Sequence, residues 1–130
     1  MATFGFRKTL KVTYDEALIR VPEALRSEGF GVLTEIDIQS TLKQKLGVDF
    51  RRYKILGACN PPLAHQALQT ELEIGLMLPC NVIVYEDDER HAVVLAIDPT
   101  KTLAATGHPE LVELAAAVAT KLNRAIAALE

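Results

Sequence analysis

Apolar residues along this chain recur with two periods that alternate from one end to the other, and this alternation constrains the fold more than any other feature. Residues 4 to 12 place Phe4, Phe6, Leu10 and Val12 on one side and Arg7, Thr9 and Lys11 on the other. That period of two is the mark of a strand with one buried face. Ala17, Leu18, Val21 and Leu25 then follow helical spacing. The helix opens at Thr13-Tyr14-Asp15-Glu16, where Thr or Asp caps and early acids suit the N-terminus, and closes at Gly29 in the left-handed conformation. Pro22 falls inside the pattern, so a kink or restart is expected there.

The switch repeats. Phe30, Val32 and Ile36 alternate as a second strand, and Asp37 caps a short helix carrying Ile38, Leu42 and Leu46, closed by Gly47. Tyr53 to Ala58 reads as a third strand. Asn60-Pro61-Pro62 starts the next helix, because Pro at the first helical position lacks only an N–H that has no partner there anyway. Pro79 precedes a fourth strand over 81–85, the acidic Glu86-Asp87-Asp88-Glu89 turns the chain, and His91 to Ile97 is the fifth. His108-Pro109-Glu110 opens a last helix with Leu111, Leu114, Ala115, Val118, Leu122, Ile126 and Leu129 in one stripe. The order β-α-β-α-β-α-β-β-α predicts an α/β domain, with α+β as its variant: one compact unit over 1–130, its helices packed on a mixed sheet of about five strands.

Of the 130 residues, 49% are apolar, enough for a core without disulfides or a structural metal. A net charge of −3 with scattered Lys and Arg predicts no nucleic-acid binding, since phosphate contacts need clustered cations. No apolar run approaches the roughly 18 residues of a membrane span, and Met1 to Lys8 lacks the pattern of a secretory leader. Two cysteines make no disulfide framework. The expected location is the cytoplasm.

Three segments carry a resemblance: Glu28 to Asp37 (EGFGVLTEID), Gly57-Ala58-Cys59-Asn60-Pro61, and Leu78-Pro79-Cys80-Asn81-Val82. In this order and spacing, with Asp98-Pro99 closing the last strand, they resemble the family called domain of unknown function 302 over roughly residues 13 to 100. The resemblance implies a compact α/β domain of bacterial or archaeal type. It brings no activity, cofactor or catalytic residue with it.

Cys59 has the best physical case for chemistry. It ends a strand just before a helix N-terminus, where N–H groups and the macrodipole favour an anion and a thiolate gains reactivity. Pro61 and Pro62 cannot donate, so that help must come from Leu63 and Ala64, and Cys59 is expected to titrate modestly lower and react faster than Cys80. The opposing reading makes Cys59 a small core residue and Asn60 a plain cap. Cys80 reads as a core residue at a strand entrance, although the Cys-Asn pair at Cys80-Asn81 repeats that at Cys59-Asn60. If the third and fourth strands are parallel, the thiols lie at opposite edges; if antiparallel, at the same one.

Asp37, with Glu35, ends the second strand, and ligands of open α/β sheets gather at strand C-terminal ends. Asp37 would share an edge with Cys59 if the second and third strands were parallel; otherwise it is a helix cap. His65, Cys59 and Cys80 have the wrong spacing for a metal site, and no fourth ligand is evident. His91 and His108 read as a strand residue and a helix cap. No metal or cofactor is expected.

Two functions remain. One is a non-enzymic module binding a small molecule or anion near Asp37, Cys59, Asn60, Cys80 and Asn81. The other is a thiol enzyme or redox protein using Cys59, with or without Cys80, for which the sequence near Cys59 supplies no general base. Open sheet edges further predict a homodimer.

Overall fold

The computed structural model describes residues 4–130; Met1 to Thr3, part of the stretch read for a leader, lie outside them. Five strands, β1 (Gly5–Leu10), β2 (Gly31–Asp37), β3 (Tyr53–Cys59), β4 (Cys80–Glu86) and β5 (Ala92–Ile97), form one sheet in the order β1-β5-β4-β3-β2. Four helices, α1 (Tyr14–Ser27), α2 (Ile38–Leu46), α3 (Pro61–Thr70) and α4 (Pro109–Ala127), join 3-10 segments at Leu72–Met77, Pro99–Lys101 and Leu103–Thr106. The α/β class, the five strands and their order with the helices are as the periodicity predicts.

The sheet itself differs from expectation: every neighbouring pair is antiparallel, so it is not mixed. Helical connections do not enforce parallel pairing, and here α2 and α3 each return the chain to an adjacent strand running the other way. α1 alone crosses the full sheet, carrying the chain from one edge strand, β1, to the other, β2.

α1 continues through Pro22 as one helix with no restart. Its N-cap is Thr13, whose hydroxyl accepts from Glu16 N at 3.1 Å. At its other end Gly29 adopts φ 87°, while Phe30 N donates to Leu25 O and Gly29 N to Arg26 O. This paired closure satisfies carbonyls that the helix end would leave bare. It also drops Phe30 into the core, where it is 2% exposed.

One face of the sheet is the core. Leu56 and Ala58 of β3, Val82 and Val84 of β4, and Val94 and Ala96 of β5 alternate inward and pack under Val21 and Leu25 of α1 and Leu122 and Ile126 of α4. A second, smaller cluster of Ala67, Ile74, Leu103, Leu111 and Ala115 joins α3, the 3-10 segments and the start of α4. Among the described residues no helix is long and apolar enough to cross a membrane.

Candidate functional site

The antiparallel pairing of β3 and β4 decides where the thiols go. Ala58 stands opposite Cys80 in the register, so Cys59 and Cys80 occupy the same edge of the sheet. Gly31 stands opposite Cys59. All three segments singled out in the sequence therefore converge at one end of the strands.

Their convergence is held by close approaches. A Cβ on Gly57 would collide with the side chain of Thr34 on β2 and the ring of Pro79 before β4. A Cβ on Gly29 would come within 2.9 Å of Asn60 Nδ2, at a φ that other residues rarely adopt. Asn60 Nδ2 in turn donates to Glu28 O at 3.4 Å. The Leu78–Pro79 bond is cis.

Beside this junction, at the seam between the two core clusters, lies a cavity of about 370 Å³. This is within the range of roughly 300–1,000 Å³ typical of small-molecule sites. Phe30, Leu63, Leu78, Leu103, Leu114 and Val118 are among its apolar wall residues, and Thr34, Cys59, Asn60 and Cys80 are its polar residues. Among the described residues no charged side chain lines it.

The helix end that faces this cavity is already saturated. Pro61 and Pro62 have no N–H, Leu63 N donates to Asn60 Oδ1 at 3.3 Å, and Ala64 N donates to Asn60 O at 2.8 Å. Asn60 is thus a cap with both ends of its amide engaged. An anion arriving there would meet no free donor, however favourable the dipole.

Of the cysteines, Cys59 is half-buried and Cys80 is 7% exposed. Burial, and then the nearby Cys59, push the Cys80 thiol up to about 11. At neutral pH Cys80 is a protonated, weakly polar wall residue.

The remaining residues singled out in the sequence fall elsewhere. β2 and β3 are antiparallel, and Asp37 stands opposite Lys54 at the far end of β3 from Cys59. Six residues of strand at about 3.3 Å each put it roughly 20 Å away. Asp37 caps α2, accepting from Ser40 N at 2.9 Å. Its charge also bears on Tyr14, whose phenol is pushed up to about 12 by burial first and then by Asp37, with Arg52 opposing. The Arg52 guanidinium lies 4.5 Å from the Tyr14 ring centroid and pairs with Asp15, while Glu35 pairs with Lys54. Asn81 is exposed on the other face of the sheet, opposite Gly57, and does not line the cavity. His65 is exposed on α3 and is likewise not in the cavity wall. Among the described residues no three His, Cys, Asp or Glu side chains are grouped to hold a metal.

Sequence reasoning missed the part of the cavity wall formed by Gly75 of the 3-10 segment Leu72–Met77, Leu78 and Leu103. The apolar run Ile74-Gly75-Leu76-Met77-Leu78 was the available signal, because it follows a helix too closely to be a strand of its own.

A family model for a domain of unknown function, DUF302, matches residues 6–129. The chain is similar to a solved structure described as an uncharacterized conserved protein DUF302 from Bacillus stearothermophilus, at 30% identity, with 99% of this chain and all of that one covered and a TM-score of 0.90. No curated protein matches.

Proposed function

The chain belongs to the DUF302 family, and from that premise we propose that it is a non-enzymic module binding an uncharged, largely apolar small molecule in the cavity beside Cys59 and Cys80. The observation that carries this reading is the wall itself: apolar, without a charged side chain, and set where the three family-like segments meet. It favours an apolar ligand over an anion, because the one anion-seeking feature, the start of α3, has its donors occupied or replaced by proline. Thiol chemistry has less support, since among the described residues no His, Asp, Glu or Lys lines the cavity to serve as a base. Two unbridged cysteines suit a reducing compartment, which makes the cytoplasm the proposed location.

A neutral dye such as Nile red tests the site. The wild-type protein should enhance its fluorescence, medium-chain alcohols should displace it, and inorganic phosphate should not. Ala64→Trp, which puts an indole into the cavity mouth, should abolish the displaceable signal. No enhancement in the wild type, or full binding in Ala64→Trp, would refute the reading.

A further inference from the structure

Leu63 of α3 and Leu114 of α4 each belong to two walls. On one side they line the cavity, and on the other they line an open groove of about 580 Å³ between the two helices. Helical spacing explains the double role. Leu63, Gln66 and Thr70 follow one another at i, i+3 and i+7 along α3, and Glu110, Glu113 and Leu114 share the facing side of α4. Ala64, Ala67 and Leu68, further round α3, turn to the cavity instead. The Thr70 hydroxyl lies 3.2 Å from Glu110 Oε2 and 3.0 Å from Gln66 O, which ties the two helices together beside the groove. Both leucines are half-buried, so they form a thin partition rather than packed core.

We propose that cavity and groove form one site for a single-chain amphiphile with an uncharged, hydroxyl-bearing head, a monoacylglycerol-like molecule whose chain lies in the cavity and whose head lies in the groove. This deepens, and rests on, the reading of the cavity as a site for an apolar ligand. Chemistry changes across the partition: the cavity wall is apolar, whereas the groove carries Gln66, Gln69, Thr70, Glu110 and Glu113. Among the described residues no Lys, Arg or His lines the groove, so its two carboxylates repel a carboxylate or phosphate head. A carboxylate only accepts, while a glutamine amide both donates and accepts. A hydroxyl can serve Glu113 and Gln66 at once, whereas an ammonium head donates only and leaves the amide N–H groups unmatched. Size favours a chain. A methylene fills close to the volume of a water molecule, about 30 Å³, so the cavity of about 370 Å³ holds roughly ten carbons. The partition opens by turning one leucine from each helix, which admits a slender chain. A ring system would have to part the helices that Thr70 and Glu110 tie.

Displacement of Nile red from the full chain, with each competitor below its micelle concentration, tests the site. Decanol is the reference for the chain alone and should displace the dye. The more water-soluble 1-decanoylglycerol should do so at a roughly five- to tenfold lower concentration, the worth of one or two net hydrogen bonds, and decanoate should be the weakest. Gln66→Ala with Glu113→Ala, exposed helix positions that alanine suits, should remove the advantage of decanoylglycerol over decanol. Glu113→Lys should improve decanoate severalfold at low salt. If decanol displaces the dye but decanoylglycerol has no advantage, or keeps it in the double variant, or decanoate is indifferent to Glu113→Lys, the two-part site is overturned and the apolar cavity stands. If decanol fails as well, the cavity reading falls and this one with it. Should a variant not fold, the wild-type ranking of the three competitors decides.

Discussion

Cys80 shows how a single residue ties the cavity to measurable stability. Its thiol rises from the ordinary value of 9.0 to about 11 on folding. Between those values the unfolded chain gives up this proton while the folded chain keeps it, so alkali favours unfolding. Stability due to Cys80 is therefore intact below pH 9 and falls as the pH approaches 11, by a total of about 2–3 kcal/mol. Urea melts of wild type and Cys80→Ala should show the wild-type advantage shrinking by that order across this window; an advantage constant with pH would contradict it. Tyr14 adds a similar loss from pH 10 upward in both proteins and cancels in the comparison. The roles of Asn60 and Asp37 as caps were legible in the sequence, and both cap as their positions suggest. Their neighbourhoods were not legible, because a cap sequence reads the same at either end of a sheet.

At the level of elements, the stripe on α4 was the most readable feature, since nineteen residues offer several turns over which a 3.6-residue period can show itself. The structure nonetheless separates two positions that the stripe treats alike. Leu122 is fully buried in the main core, whereas Leu114 is half-buried and lines the cavity. Leu122→Ala should destabilise the fold by about 2–5 kcal/mol, and Leu114→Ala by less, because its neighbours on one side are open space. Denaturation midpoints check the ranking, and equal losses would mean the cavity is filled or collapsed. Strand direction was hidden for a different reason. Side-chain alternation is identical in parallel and antiparallel ladders, and helical connections of ten residues or so permit either.

For the whole molecule, charge makes the clearest forecast. At −3 overall, and with Arg51, Arg52, Lys54 and Arg124 each paired to a carboxylate, the described surface offers little for a phosphate backbone. Gel shifts at low salt should show no retention of DNA or RNA, and salt-sensitive retention at micromolar protein would contradict this. The edge-to-edge run of α1 has a consequence for synthesis. Among the described residues β1 pairs only with β5, so Leu10 must wait for Ala92. At translation rates of about 5–20 residues per second that is a delay of roughly 4–16 s. The first ribbon made is among the last to find its partner, and until then Arg7, Lys8 and Lys11 are the charges that keep its apolar side from joining a neighbouring nascent chain.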